Sequence, residues 1–401
     1  MVDLRNTLVK KSATEEDAKK AKEIEESIAD IEAEENKNLV MKHFKKFSDN
    51  PESINLQEVW KLLKNVCPKY GAPKAIAKRN FKGKLETNPI EIKKLLAKEY
   101  RQRLRPRPAR PDLGDLKQRK HEIFDLHLKL AISNPSTPWT MSDLDRALAD
   151  LKNNKSRDHS GYVNEIFKRG VIGTDLKKSL LTLSNKLKIQ KLIPECMRFT
   201  NLTTVPKKGS LVELENERGI FRVEIVRSII MKLAYNDKYP EIDENISDSQ
   251  MGGRKRKGCR NNIFIINGII HDVLRSKTRK PVLLQIYDYA LMFDSIDLKQ
   301  AISDVYETGL KDDNLALVYE ANKEIFMAVN TSEGLTDRQK LENIVLQGDT
   351  WSSLLASVQV DTIGKDCAES GYGYRYQDIL PVGMLGLVDD TICVTEAGYK
   401  A

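Results

Sequence analysis

The stretch Met384-Leu-Gly-Leu-Val-Asp-Asp-Thr-Ile-Cys-Val394 consists of two short apolar runs joined by Asp389 and Asp390. Two strand-like runs separated by so few residues predict a tight β-hairpin with adjacent carboxylates at its turn. Like charges held beside a buried sheet are costly unless a cation offsets them. Asp312-Asp313 is a second pair of adjacent acids, but its polar surroundings predict a surface position. The hairpin pair is therefore the stronger candidate for a charged functional site.

A second apolar run also leads into an acid. Pro281-Val-Leu-Leu-Gln-Ile-Tyr287 is followed directly by Asp288. If this strand pairs with the hairpin, Asp288 comes to lie beside Asp389. Such a set of carboxylates suits Mg²⁺, which uses few protein ligands and leaves room for phosphate oxygens. Spacing alone, however, favours an ordinary strand-end or capping role for Asp288.

The composition fits a globular protein with a polyanionic partner. The chain has 401 residues and a formal net charge of +8, which suits nucleic acid without proving it. Its five cysteines lie far apart, so they indicate neither a disulfide framework nor a zinc finger. No apolar run approaches the roughly 18 residues of a membrane span. Met1 to Lys11 lack a signal-peptide core. We therefore expect an intracellular protein, in the nucleus or cytoplasm, with no membrane partner.

Residues 1–110 are predicted to form a helical, basic N-terminal region. Residues 12–47 have the pattern of one long helix whose narrow apolar stripe fits either a short coiled coil or packing on the body of the protein. Further helices are expected at Leu56–Val66 and after Asn88-Pro89. The stretch 101–111 carries five arginines among prolines that favour an extended arm. This arm either neutralises phosphates or is a solvated linker.

Residues 111–401 are predicted to form an α+β domain. The segment 112–200 has a helical pattern, with Thr140 as a helix N-cap and a polar loop at 153–161. Beyond residue 201, short apolar stretches alternate with helical segments, which is typical of α+β proteins. The expected strands include Leu202–Val205, Val282–Ile286 and Met384–Val388.

From about residue 140 to 395, the order of short motifs resembles the reverse-transcriptase domain of non-LTR (LINE-type) retrotransposons. The matching segments are Lys155-Ser-Arg-Asp-His-Ser-Gly161, Val205-Pro-Lys-Lys-Gly209, Asn216-Glu-Arg-Gly-Ile220, Gln250-Met-Gly-Gly-Arg254, Asp288 to Phe293-Asp294, Leu346-Gln-Gly348 and Leu387-Val-Asp-Asp390. Each motif is weak or moderate alone, and the specific signal is their order. The resemblance implies a helical N-terminal region followed by the fingers and palm of a right-hand polymerase, with an antiparallel sheet packed on helices.

The resemblance also implies a function and a set of site residues. The activity would be RNA-directed DNA polymerisation, with dNTPs added to a DNA primer on an RNA template. Asp288, Asp389 and Asp390 would be the catalytic carboxylates and would bind two Mg²⁺ ions, which Mn²⁺ can replace. Residues at the family's nucleotide-binding positions are Lys207, Lys208, Arg218, Phe293, Gln347 and Gly348. Among them, Arg218 would grip the triphosphate and Phe293 would exclude a ribose 2′-hydroxyl.

A basic run follows the glutamine motif and would contact the template–primer backbone. Its members are Arg254, Lys255, Arg256, Lys257 and Arg260. A nuclear-localisation patch or a solvated turn is the alternative interpretation of this run.

Several matched positions depart from the family pattern. Arg157 to Ser160 replace Pro-Gly-x-Asp, Gly219 and Leu346 replace prolines, Asp349 replaces serine and Leu387 replaces an aromatic residue. The three acids are all present. Because the chain stops at Ala401, just past the hairpin, we expect the thumb to be absent. The rival hypotheses are a catalytically silent nucleic-acid-binding remnant and a coiled-coil interaction module based on residues 12–47.

Overall fold

The computed structural model describes residues 79–81, 84–104, 114–168, 171–206, 213, 216–275, 281–289, 291–331, 334–377 and 379–396. All of them belong to one compact unit that spans Ala75–Ala401. The predictions for 12–47, for Leu56–Val66, for most of the arginine-rich arm and for Lys207 and Lys208 lie outside the described residues. Within the described stretches, every helix is too short or too polar to cross a membrane.

The first described elements are a hairpin and a helix. Strand β1 (Arg79–Phe81) pairs with β2 (Lys84–Glu86), and helix α1 (Pro89–Arg103) follows. The Asn88 side chain accepts the backbone N–H groups of Ile90 and Glu91, which confirms the predicted start of this helix. Helix α1 ends only at Arg103. Arg101 and Arg103 are therefore helical and do not belong to an extended arm.

In its described residues, the segment predicted to be helical, 112–200, contains three α-helices, but its last two residues already belong to a strand. It contains α2 (Gly114–Ile132), α3 (Met141–Ala149) and α4 (Thr174–Gln190). Thr140 and Asp143 form a reciprocal capping box at the start of α3, which confirms Thr140 as the N-cap. The polar residues 153–161 form a loop, also as predicted.

The remaining elements confirm the α+β class. In chain order they are β3 (Phe199–Pro206), β4 (Glu217–Val223), α5 (Ile225–Asn245), α6 (Cys259–Arg275), β5 (Val282–Tyr287), α7 (Met292–Ser295), α8 (Leu298–Thr308), α9 (Asn314–Lys323), β6 (Glu324–Thr331), β7 (Gly334–Leu335), β8 (Gln339–Glu342), α10 (Ser352–Glu369), β9 (Tyr374–Tyr376), β10 (Leu380–Val382), β11 (Met384–Leu387) and β12 (Asp390–Glu396).

A mixed sheet of five strands has the order β4-β3-β6-β7, with β8 also paired to β6. Strands β3 and β6 are parallel, and the other pairs are antiparallel. Leu96 and Tyr100 of α1 pack against Leu202, Phe221 and Met327 of this sheet. Helix α1 is therefore part of the same compact unit, Ala75–Ala401, as the residues that follow it.

An antiparallel sheet of three strands has the order β11-β12-β5. Its inner side chains, Leu385 and Val394, are buried against Ile269 of α6 and Tyr374 of β9. Helix α10 also packs on β11. The largest core cluster lies among helices α2 to α5 and α8 to α10. Trp351 is buried there and donates its Nε1–H to the carbonyl of Met231 at 3.0 Å.

The prediction that Asp312 and Asp313 lie on the surface is wrong. Both residues are buried. Lys238 Nζ lies 2.6 Å from Asp312 Oδ2, and Asp313 accepts the backbone N–H and the hydroxyl of Ser136. The polar sequence around these acids therefore reflects an internal network of paired polar groups.

Helix α8 carries a carboxyl with an unusual pKa. Burial raises the pKa of Asp304 from its usual 3.8 to about 6. A hydrogen bond from Gln300 and the charge of Lys120 on α2 partly oppose this rise, while Glu307 adds to it. The folded protein therefore favours the protonated form of Asp304 more strongly than the unfolded chain does.

We predict that Asp304→Asn removes one component of the pH dependence of stability. Between pH 4 and pH 6 the folded state holds more protons at this site than the unfolded state, so the free energy of unfolding falls as pH rises. The variant keeps an acceptor for Gln300 and should be more stable than the parent at pH 7 by about 1–3 kcal/mol. Urea denaturation at pH 4, 5, 6 and 7 measures the free energy of unfolding of the parent and the variant. Asp366→Asn, at an exposed carboxyl of α10, is the matched control. Parallel pH profiles for parent and Asp304→Asn would contradict the prediction.

Candidate active site

The register of the three-stranded sheet brings the predicted acids together. Leu387 pairs with Asp390 across the β11–β12 hairpin, and Tyr287 pairs with Thr391 between β5 and β12. Asp288 follows Tyr287, and Asp390 precedes Thr391. Strand pairing therefore places Asp288 and Asp390 side by side at one end of the sheet, next to the turn that carries Asp389. The predicted hairpin with adjacent acids at its turn is confirmed.

The turn of this hairpin has a strained backbone. Val388 has a φ of +63°, in a region that β-branched residues rarely adopt. The buried side chain of Gln250 holds it there: its Oε1 accepts the N–H of Val388 at 2.9 Å, and its Nε2 donates to the carbonyl of Val388 at 3.4 Å. Strain of this kind persists only where surrounding contacts fix it, and it is concentrated at functional sites.

The backbone around Gln250 adds further contacts to strand β11. Gly386 donates its N–H to the carbonyl of Ser249 at 2.7 Å and accepts the N–H of Met251 at 2.9 Å. A Cβ on Gly252 would lie 2.1 Å from the backbone nitrogen of Val388, so only glycine fits. The sequence presented this stretch as a motif, but nothing in it indicated that the stretch supports the acidic turn.

The acids line an open cleft of about 900 Å³. Six of the predicted site residues line it together: Asp288, Asp389, Asp390, Arg218, Phe293 and Gln347. Arg218 is exposed on β4, and Phe293 is half-buried against the main core. Strand β4, helix α7 and the three-stranded sheet thus direct cationic, aromatic and acidic groups to one cavity.

The three predicted catalytic carboxylates differ from the other acids near them. None of the three has a hydrogen-bond or ion-pair partner among the residues that the structure describes. By contrast, Asp294, which lines the same cleft, accepts a hydrogen bond from Arg103 Nε at 2.6 Å. The side chains available to bind a cation or a substrate are therefore those of Asp288, Asp389 and Asp390.

Arg103 is a cleft residue that sequence reasoning missed. It comes from the last turn of α1, and its side chain is 17% exposed while that of Asp294 is 10% exposed. The ion pair ties α1 to α7, the short helix that carries Phe293. The sequence did not predict that Arg103 would enter the cleft. Arg103 lies in an arginine-rich stretch, and its contact with Asp294 spans 191 positions of sequence.

Gln347 and Gly348 lie against strand β4. The carbonyl of Gln347 accepts the N–H of Phe221 at 3.0 Å. Gly348 has a φ of +113°, and a Cβ there would approach the carbonyl of Phe221 to 3.0 Å. The next residue, Asp349, forms a fully buried ion pair with Arg227 at 2.6 Å. This pair anchors the loop, and removing one partner of such a pair costs about 3–5 kcal/mol.

The carboxylates have the donor chemistry that Mg²⁺ prefers. Magnesium is usually held by one or two carboxylates together with substrate phosphates. Within the described residues, however, no three His, Cys, Asp or Glu side chains are grouped closely enough to form a metal site by themselves. Asp288, Asp389 and Asp390 therefore have suitable donor atoms and line the same cleft, but they do not form a preformed metal-binding cage.

The predicted nucleic-acid-binding run divides into buried and exposed members. Arg254 is buried: it donates to the carboxylate and carbonyl of Asp243 and to the carbonyls of Ser247 and Gln250. We therefore reassign Arg254 from backbone contact to a structural role, because its guanidinium already holds this loop together. Its neighbours remain on the surface: Lys257 is paired with Asp248, and Lys255, Arg256 and Arg260 are exposed.

Comparisons with known proteins add no assignment. No protein-family model matches the chain, and no curated protein matches it. The functional interpretation therefore depends on the geometry of the cleft and on the order of the motifs.

We predict that Gly252→Ala disrupts the acidic turn and destabilises the fold. The new methyl group would meet the backbone of Val388, which cannot move aside as a flexible side chain can, so we expect a loss of about 3 kcal/mol or more. Urea denaturation measures the change. Gly258→Ala is the matched control, since a Cβ at Gly258 meets nothing within 4 Å. Equal stability of the two variants would contradict the described contact.

Proposed function

We propose that this chain contains the fingers and palm of an RNA-directed DNA polymerase of the non-LTR retrotransposon type. The observation that carries the proposal is that Asp288, Asp389 and Asp390, which have no partner among the described residues, line one cleft together with Arg218. In this interpretation the three-stranded sheet is the palm, and strands β3 and β4 belong to the fingers. The substrates are a dNTP, a DNA primer and an RNA template.

In this proposal, different residues of the cleft would serve the metal ions, the primer and the nucleotide. Asp288 and Asp389 would hold Mg²⁺, or Mn²⁺ in its place, and Asp390 would support them. Bound metal would lower the pKa of the primer 3′-hydroxyl and offset charge on the transferred phosphate. The hydroxyl oxygen forms a bond to the α-phosphorus of the dNTP, the bond from that phosphorus to the bridging oxygen breaks, and pyrophosphate leaves. The hydroxyl proton passes to solvent.

The chain's cationic and aromatic residues would select and orient the nucleotide. The guanidinium of Arg218 can bind two phosphate oxygens of the triphosphate at once. Lys207 and Lys208 are proposed, on the resemblance alone, to bind the same phosphates. Phe293 lines the cleft as a bulky ring and would leave no room for a ribose 2′-hydroxyl. Gln347 and Gly348 would lie along the nucleotide and the template.

The second candidate function is a catalytically silent nucleic-acid-binding protein. Two observations favour it: the described residues contain no three-carboxylate metal cluster, and Lys255, Arg256 and Arg260 are exposed near the start of α6. Such residues can contact phosphates without any catalysis.

Primer extension on poly(rA)/oligo(dT) with Mg²⁺ and dTTP separates these functions. We expect the chain to incorporate dTMP and Asp389→Asn to lose about 100-fold or more, because the variant removes a charge that acts on the transition state. Asp337→Asn is the matched control, since Asp337 is exposed and lies outside the cleft. A parent chain that binds the template–primer without extending it would contradict the polymerase and support the silent binder.

A further inference from the structure

A second cavity adjoins the acidic cleft and has the opposite charge. It has a volume of about 420 Å³ and shares Phe293 and Asp294 with the cleft. Its lining includes three lysines, Lys117, Lys120 and Lys299. The first two come from helix α2 and the third from the first turn of α8. No motif in the sequence pointed to this cavity.

The acids of this cavity are already neutralised. Asp294 is paired with Arg103. Asp297 lies 3.2 Å from both Lys117 Nζ and His121 Nε2, and it also caps α8 by accepting the backbone N–H groups of Lys299 and Gln300.

Two cationic groups in the cavity remain available. Across the part of the chain that the structure describes, neither Lys120 nor Lys299 has an ion-pair partner. Lys299 Nζ lies over the ring of Phe124 at 5.4 Å from its centroid, and this contact leaves its charge uncompensated. The cavity as a whole therefore favours an anion.

The rest of the lining combines apolar side chains with the polar side chains of Ser295, Gln300, Asn343 and Gln359. The apolar part of the lining includes Leu104, Leu116, Ile296, Ile344 and Phe293. A cavity of this size lies within the range of about 300–1,000 Å³ that small organic ligands occupy. Apolar and aromatic walls accommodate a planar base, and lysines at the side accommodate a phosphate. One nucleotide has both parts.

We propose that this cavity binds one nucleotide unit, with its base against the apolar wall and its phosphate at Lys120 and Lys299. Because the cavity adjoins the acidic cleft, the unit belongs to the single-stranded template next to the site of synthesis. This assignment to the template rests on the proposed polymerase function. A free nucleotide has the same chemistry and is the other source of the ligand.

Two binding assays on the full chain test the proposal. The first measures fluorescence anisotropy of a labelled 12-nucleotide single-stranded RNA, and the second measures AMP binding by calorimetry. We expect the double variant Lys120→Ala/Lys299→Ala to bind the RNA about 10-fold more weakly and to show a shallower salt dependence, by about one unit of slope. Lys178→Ala/Lys186→Ala removes two exposed lysines of α4 that line neither cavity and is the matched control.

The outcomes are distinct. Weaker RNA binding in the cavity variant alone supports the template assignment, and loss of AMP binding with unchanged RNA binding overturns that assignment in favour of a free-nucleotide site. If both ligands bind the two double variants equally, the cavity is not a nucleotide site. Neither assay needs catalysis, so a chain inactive in primer extension still gives a result. Protection of Lys120 and Lys299 from acetylation by bound RNA, read by mass spectrometry, checks the same contact in the unmodified chain.

Discussion

The pairing of strand β12 with both β11 and β5 is the constraint on which the candidate site depends. Since side chains alternate between the two faces of a sheet, a slip of one residue would turn Asp288 or Asp390 away from the cleft. Two features fix the register: the antiparallel ladder from Thr391–Tyr287 to Glu396–Val282, and the clamp of Gln250 on Val388. The clamp also stabilises a turn that the valine would not adopt by itself.

The acids near the cleft fall into two groups, those that have a hydrogen-bond or ion-pair partner and those that lack one. Asp294, Asp312, Asp313 and Asp349 are each paired with a cation or a polar group. Asp288, Asp389 and Asp390 lie together and, within the described residues, lack such partners. Adjacent carboxylates repel one another, and a cation relieves that repulsion. The second cavity shows the reverse arrangement: its acids are paired, and among the described residues Lys120 and Lys299 have no ion-pair partner. Together the two cavities would suit a polyanion with bound metal ions: the acidic cleft would bind the metal ions, and the second cavity would bind the anion.

Local patterns in the sequence predicted the features that depend on neighbouring residues. The hairpin around Asp389, the strand before Asp288, and the helix starts at Asn88 and Thr140 all have short signals of alternation or capping. The features that the sequence did not predict are contacts between residues far apart in the chain. Arg103 binds Asp294 across 191 positions, and Gln250 reaches Val388 across 138. Arg254 resembled its exposed neighbours until tertiary packing placed it among the carbonyls of its own loop. Such contacts follow from packing and leave no periodic trace in the sequence.

Iron-directed cleavage of the backbone tests the central claim, a metal site at the acidic turn, most directly. Fe²⁺ can occupy Mg²⁺ sites, and with ascorbate and peroxide it produces hydroxyl radicals that cut the nearby chain. We expect cuts close to Asp288 and at 388–390 that excess Mg²⁺ suppresses and that are lost in Asp389→Asn, with the fragments identified by mass spectrometry. Cuts confined to other parts of the chain, or cuts at these residues that persist in Asp389→Asn, would contradict the claim.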